Sequence, residues 1–232
     1  MKKRLLRILL LLALLGAVGV LLVYSSKEDS PFFKPIQDFK ILTPLQHVRS
    51  EEIKEVLLPY LGSSFWNVPL DEIQSDLARL DWVDKVTVTR SWPDQLYISV
   101  QEQFPVARWG DEGLVNREGV VFYPNDIKEF SNLIRLDGDL SRSSDILLML
   151  TRIQPKMKEA GLDVAAVKLR GDGVWDIAMQ NGVEVVLGNE NWQEHLQRFL
   201  RALPALSEDL RNSARRYDLR YSNGFVVGQK DK

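Results

Sequence analysis

The chain contains no cysteine, and only two of its 232 residues are histidines. Without cysteine there is no disulfide framework and no thiolate ligand for a metal, so a hydrophobic core must hold the fold together. His47 and His195 are not part of an H-E-x-x-H pair, and a single histidine does not indicate a zinc site. The sequence therefore predicts no metal centre and no cofactor.

Motifs of common enzyme classes are also missing. No P-loop, G-x-S-x-G or S-x-x-K sequence is present, and Gly171-x-Gly173 lacks the third glycine of a dinucleotide-binding fingerprint. The acidic residues are scattered along the chain, so folding could still bring two of them together as a carboxylate pair acting on peptidoglycan. We predict instead a protein that is not an enzyme and has no small-molecule substrate.

Positive charge is scarce beyond the first 27 residues. Five of the 30 Lys and Arg residues precede residue 28, whereas all 32 Asp and Glu residues follow Lys27, which leaves the rest of the chain with a formal net charge of −7. A mildly acidic surface has no electrostatic footprint for nucleic acid, and we predict no nucleic-acid partner.

One stretch has no charged residue at all. Residues 8–24 read ILLLLALLGAVGVLLVY, and a helix of this length crosses a bilayer core at the short end of the usual range. The basic residues before it (Lys2, Lys3, Arg4 and Arg7) favour a cytoplasmic N-terminus. We predict a single membrane anchor over residues 8–24, a cytoplasmic tail over residues 1–7, and export of the remainder. A cleaved signal peptide is the alternative, although no A-x-A site follows the segment.

After a short linker over residues 25–35, residues 36–109 predict one small domain. Residues 36–42 form a first strand, Ser50 caps a helix that ends near Pro59, and Pro69 opens a second helix. Alternating residues then predict a hairpin around Trp92-Pro93-Asp94. The order is β-α-α-β-β, and the predicted core comprises Ile73, Leu77, Val86, Val88 and Ile98.

Residues 110–228 predict a second domain of strands with two helices, followed by a tail over residues 229–232. Ser144 can cap the first helix, which has a kink or an early end at Pro155. Its predicted buried face is Ile146, Met149, Ile153 and Met157, and the alternative face is Leu147, Leu150 and Thr151. Strands are predicted at residues 164–169, 175–179 and 183–187. The last two strands, at residues 217–221 and 225–227, flank the turn Ser222-Asn223-Gly224.

The first domain resembles a POTRA domain. The run WPDQLYI at residues 92–98, followed by Glu102, Pro105, Ala107, Arg108 and Trp109, is similar to the signature of the FtsQ/DivIB family of bacterial cell-division proteins. Residues 110–228 resemble the second, β domain of that family. The resemblance implies an α+β protein with a transmembrane helix, a POTRA domain and a C-terminal mixed α/β sheet domain. It also implies a non-enzymatic divisome scaffold in the bacterial inner membrane, with its bulk in the periplasm at the septum.

The same resemblance implies that the β domain binds FtsB, in complex with FtsL, through its last strand. The residues that we expect at this surface are Arg220, Tyr221, Ser222, Asn223, Gly224 and Phe225, with Arg170 as a weaker candidate. Tyr221 would be the anchor, and Arg220 would pair with acidic groups of the partner. In the alternative interpretation, Tyr221 and Phe225 pack in the core of an ordinary terminal hairpin.

Other divisome proteins would dock on the POTRA domain, where Lys85 and Arg90 are exposed positions of the second strand. The alternative function is a POTRA-type chaperone or docking module of envelope protein transport. Such proteins normally carry repeated POTRA units, whereas this chain holds one.

Overall fold

The computed structural model describes residues 10–20 and 34–229. Residues 10–20 form a helix, α1, whose side chains are exposed. Within the two described ranges, no helix is both long enough and apolar enough to cross a membrane. The predicted anchor over residues 8–24 extends past the described residues at both ends. The predicted cytoplasmic tail, most of the linker and the last three residues also lie outside them.

Residues 34–103 form a first compact unit with a three-stranded sheet. Its elements are β1 (Asp38–Ile41), α2 (Ser50–Leu57), α3 (Leu70–Leu77), β2 (Val83–Ser91) and β3 (Gln95–Glu102). The strand order is β1-β3-β2, in which β1 runs parallel and β2 antiparallel to β3. The predicted β-α-α-β-β order is confirmed.

The core residues of this unit follow the helical spacing of apolar residues on α3 and their alternation along β2. Ile73 and Leu77 lie one helical turn apart on α3 and are fully buried. Val86 and Val88 alternate with the exposed Thr87 and Thr89 along β2, so the apolar side of the strand faces the helices. Ile98 on β3 is also buried, and all five predicted core residues are confirmed.

The start of α2 differs from the prediction. Ser50 is the first helical residue, and Arg49 occupies the N-cap position. The loop before the helix is bound by a residue that is distant in sequence. The Glu102 carboxylate accepts the backbone N–H groups of Gln46, His47 and Val48 at 2.8–3.2 Å. The carboxylate satisfies backbone donors of the loop itself, whereas the N-terminus of α2 has a local capping box with Glu52 at its third position.

Residues 104–229 form a second unit around one nine-stranded sheet. Its elements are β4 (Pro105–Trp109), β5 (Gly113–Asn116), β6 (Val121–Phe122), β7 (Arg135–Asp137), α4 (Ser143–Glu159), β8 (Val164–Leu169), β9 (Trp175–Met179), β10 (Glu184–Leu187), α5 (Trp192–Ala202), α6 (Glu208–Ser213), β11 (Ala214–Asp218) and β12 (Val226–Gln229). The strand order is β12-β11-β10-β9-β8-β7-β4-β5-β6, which puts β12 at one edge.

Helix α4 buries the predicted face, namely Ile146, Met149, Ile153 and Met157. The helix continues through Pro155 to Glu159, so the early end is not observed. Pro155 is exposed, and water can therefore satisfy the carbonyl that its missing N–H leaves free. Gly161, with φ +74°, lies just after the C-cap residue Ala160, and Leu162 N–H donates to the Met157 carbonyl as in a Schellman motif.

The junction between the units also differs from the prediction, which placed residues 105–109 in the first domain. Strand β4 pairs antiparallel with β5 and parallel with β7, so it belongs to the second sheet. Only Gln103 and Phe104 lie between β3 and β4, and neither is a typical turn residue. The local sequence therefore does not show that β3 and β4 belong to different sheets.

Candidate partner-binding surface

The predicted surface residues 220–225 form the loop between β11 and β12. The strand predicted over residues 217–221 is wrong in its limits, because β11 begins at Ala214 and ends at Asp218. Leu219 N–H still donates to the Val186 carbonyl, but Arg220 N–H donates to Asp218 Oδ1 at 3.2 Å. A hydrogen bond from a backbone N–H to an Asp side chain two residues earlier is typical of a turn. It competes with the backbone hydrogen bonds between neighbouring strands. The strand predicted over residues 225–227 is observed as Val226–Gln229.

Arg220 is already paired within the unit. Its Nε and Nη2 atoms donate to the two carboxylate oxygens of Asp218 at 2.8 and 2.6 Å. The Asp218 side chain is 13% exposed and that of Arg220 is 43% exposed. Hydrogen bonding to Arg220 lowers the pKa of Asp218, and the same bond raises the pKa of Arg220. The pair therefore stays charged and presents a half-exposed, oriented guanidinium beside the loop.

The two aromatic residues of the loop have different environments. Phe225 packs edge-on against Phe199 of α5, with ring centroids 5.2 Å apart, and also contacts Tyr217 of β11. Tyr221, in contrast, is 52% exposed. Phe225 therefore packs against the core, as the alternative interpretation expects, whereas about half of the Tyr221 side chain faces solvent.

The rest of the loop is open and is attached to α5. The guanidinium of Arg198 donates to the Ser222 carbonyl. Ser222 and Asn223 are exposed, and a Cβ atom added at Gly224 would meet no other atom within 4 Å. The loop backbone at Gly224 therefore has free space beside it.

Strand β12 borders this loop and forms the edge of the sheet. It pairs antiparallel with β11, and no other strand of the described ranges lies on its outer side. Val226, its first residue, is 51% exposed. An edge of this kind presents unpaired backbone N–H and C=O groups that can accept another strand.

Arg170 follows β8 at the same end of the sheet. The pairing registers bring the ends of β8, β10 and β11 together there, and three strand spacings separate β8 from β11, roughly 14 Å. Arg170 Nε lies 3.0 Å from Asp176 Oδ2 but is not aligned for a hydrogen bond. Its Nη2 atom is buried and has no hydrogen-bond partner among the described residues.

The two candidates on the first unit differ from each other. Lys85 is exposed on β2, which is an edge strand of the three-stranded sheet. Arg90 donates from Nη2 to the carbonyls of Val68 at 2.8 Å and Trp66 at 3.3 Å, so its guanidinium holds the turn after Ser64.

Sequence reasoning missed three residues that shape the surface: Asp176, Arg198 and Asp218. Asp218 stands two residues before Arg220, which is a local signal for an Asx-type turn. Asp176 and Arg198 reach their partners only through the folded sheet and helix, and no sequence spacing reveals them. Over the described ranges, no group of three or more potential metal-ligating side chains is present.

Family models match both units. Residues 34–103 match the model of the FtsQ-type POTRA domain, and residues 107–220 match the C-terminal model of the cell-division protein FtsQ/DivIB. The two limits agree with the junction seen in the structure.

The chain is also similar to curated proteins named cell division protein FtsQ. That of Xanthomonas campestris pv. campestris is 34% identical over 84% of this chain and 70% of its own length. The relative from Methylomonas methanica is 32% identical over 85% of this chain and 79% of its own length. The relative from Allochromatium vinosum is 32% identical over 97% of this chain and 88% of its own length.

Proposed function

Because the chain belongs to the FtsQ/DivIB family of cell-division proteins, we propose that it is a non-enzymatic scaffold of the division septum. A single span over residues 8–24 would hold it in the inner membrane, with both compact units in the periplasm. The uncharged length of that segment and its basic N-terminal flank support this topology. Confinement to the membrane raises the effective concentration of the scaffold for other anchored proteins.

The partner that we propose is FtsB, in complex with FtsL. The observation that supports it best is the open edge of β12 beside the exposed Tyr221. An extended segment of FtsB would add to β12, so that backbone hydrogen bonds supply affinity and neighbouring side chains supply selectivity. Tyr221 offers a large contact area at low entropic cost and is the expected hot spot.

Two arginines, each already paired with an aspartate of the unit, would contact acidic groups of the partner. Arg220 is oriented by Asp218 and keeps 43% of its side chain exposed. Arg170 lies 3.0 Å from Asp176 and keeps 33% of its side chain exposed, so it would make a weaker contact with a partner carboxylate. Asn223, Ser222 and Gly224 would line the contact through their backbone.

The first unit would contact other divisome proteins through the outer edge of β2. Lys85 is the exposed side chain for that contact. Arg90 would act indirectly, because its guanidinium holds the neighbouring turn through the Val68 carbonyl. No observation favours a docking module of envelope protein transport, and the second unit matches the FtsQ/DivIB model.

Site-specific crosslinking in cells tests the partner proposal on the full chain. A photo-crosslinking amino acid at Tyr221 or Val226 should yield an adduct with FtsB. Tyr123 is the matched control, because it has the same 52% exposure and follows β6 at the opposite edge of the sheet. Adducts of equal yield from Tyr123 and Tyr221, or none from Tyr221 in cells that contain FtsB, would refute the assignment.

A further inference from the structure

Two of the six tryptophans are exposed at one end of the first unit. Trp66 and Trp92 each have an exposed fraction of 57%. Trp66 lies in the turn that follows Ser64, and Ser64 forms an antiparallel bridge with Pro35. Trp92 lies in the turn between β2 and β3, where the Asp94 carbonyl accepts the Gln37 N–H at 2.9 Å. Both turns therefore contact the segment by which the chain enters the unit.

The strand register fixes this arrangement. Asp38 pairs with Gln95, so β1 and β3 begin at the same end, which we call the entry end. The chain leaves the unit after Glu102, at the far end of β3, roughly 25 Å away for eight residues. Arg90 ties the Trp66 turn to β2 through the carbonyls of Trp66 and Val68. The positions of both tryptophans are therefore set by paired backbone.

The sequence places the entry end close to the hydrophobic segment. Residues 25–34 separate the end of that segment from Pro35, and ten residues span at most about 35 Å. Tryptophan is enriched at membrane–water interfaces, because its ring is apolar and its indole N–H is polar. Lys34 and Arg90 are outnumbered at this end by Asp38, Asp94 and the first-turn residues Asp71 and Glu72 of α3, so the attraction would come from the rings rather than from anionic lipid.

We propose that the entry end of the first unit rests on the phospholipid surface of the membrane, with Trp66 and Trp92 at the level of the headgroups. This inference rests on the proposed membrane anchor. It gives the POTRA domain a fixed orientation, in which the entry end faces the bilayer and the exit after Glu102 faces away from it. An orientation of this kind would leave the outer edge of β2 accessible from the periplasm.

Quenching by brominated lipid tests the contact. The full chain is reconstituted into vesicles of phosphatidylcholine that carries bromine at the 6,7 positions of one acyl chain, close to the interface. The expected result is a loss of up to about a third of the tryptophan emission, since two of six tryptophans would be in reach. The variant Trp66→Phe/Trp92→Phe should lose that quenching.

The matched control is Trp82→Phe. Trp82 belongs to the same unit but lies just before β2, at the exit end, where its ring stacks on His47 with centroids 4.0 Å apart. This variant should keep the quenching of the unmodified chain. Melting curves of all variants verify folding, and replacing 30% of the lipid with phosphatidylglycerol should not increase the quenching.

Washing the vesicles with carbonate separates the two possible failures. Release of the protein would overturn the anchor and with it the proposed topology. Retention of the protein, with equal quenching in the unmodified chain and the double variant, would overturn the lipid contact alone. In that case, the exposed tryptophans would face the periplasm and be available to a protein partner.

Discussion

At the scale of single residues, the candidate surface depends on which side chains are already engaged. Phe225 packs against Phe199 and Tyr217, whereas the side chain of Tyr221 is half exposed. Arg220 is paired with Asp218 and still keeps a large exposed area. Within this one loop, Phe225 is packed against the core, whereas Tyr221 and Arg220 keep exposed surface that a partner would contact.

Tyr221→Ala should weaken FtsB binding by about 2 kcal/mol or more, the magnitude of an interface hot spot. The melting temperature should hardly change, because the side chain is exposed. Titration with the periplasmic part of FtsB and a melting curve measure the two effects. Phe225→Ala should lower both, and Tyr123→Ala should lower neither. A loss of stability in step with binding for Tyr221→Ala would make Tyr221 a core residue and contradict its role at the surface.

The Asp218–Arg220 pair predicts a contribution to acid sensitivity. Its hydrogen bond lowers the pKa of Asp218 in the folded chain, so the stabilisation is complete above the ordinary Asp pKa and is lost as pH falls through the folded value. Urea unfolding at pH 6 and pH 3 should show a smaller acid-induced loss in Asp218→Asn than in the unmodified chain. Arg220 is 43% exposed, so the difference should remain below about 1 kcal/mol.

The Asp145→Asn variant serves as the control for this measurement. Asp145 pairs with Arg142 on the surface, and both side chains are about half exposed. Its acid-induced loss should therefore match that of the unmodified chain. Identical behaviour of Asp218→Asn and Asp145→Asn would contradict a stabilising role for the Asp218–Arg220 pair.

At the scale of elements, sequence periodicity predicted much of the fold and failed at particular contacts. The strands Val164–Leu169 and Trp175–Met179 were predicted at their observed limits, because alternating runs end there at Gly-containing turns. The limits of β11 were missed, because α6 runs directly into the strand at Ala214 and because the Arg220 N–H bonds to the Asp218 side chain. Helix α6 has only six residues, too few to show a period. The junction at Gln103 depends on pairing between β4 and β7, which is not local.

Helix α3 and the hairpin of the first unit should lose stability together. Leu77→Ala removes a fully buried side chain that packs on β2, and a change of this kind costs about 2–5 kcal/mol. Hydrogen exchange of the full chain should show reduced protection in α3, β2 and β3. Leu58→Ala, at a position 54% exposed, is the control and should change protection little. Unchanged protection in Leu77→Ala would contradict the packing of α3 on the sheet.

The loop before α2 should depend on Glu102. Its carboxylate accepts three backbone N–H groups, and Glu102→Ala would leave those donors without it. The expected loss of stability in the first unit is about 1–3 kcal/mol, measured by urea unfolding. Glu55→Ala, on the exposed side of α2, should stay within about 0.5 kcal/mol. Equal effects of the two substitutions would show that Glu102 does not hold the loop.

At the scale of the whole molecule, each of the two units is proposed to make a different contact. The entry end of the first unit follows the hydrophobic segment by ten residues, and β2 is an edge strand of its sheet. The second unit has the β12 edge, with Tyr221 in the adjoining loop. Each unit has a hydrophobic core and a sheet edge that no other described strand covers. Such an edge can pair with a strand of another protein. Composition and motifs predicted a protein without a familiar catalytic motif, but the candidate surface depends on the folded positions of Arg170, Arg198 and Asp218.

The central claim is that the chain is a scaffold of the division septum, and its location in living cells tests this most directly. A fluorescent protein fused to the N-terminus of the full chain should form a band at mid-cell in dividing bacteria of its source. The band should persist in Tyr123→Ala. An even distribution around the envelope throughout the cell cycle, with the fusion intact, would contradict the septal assignment.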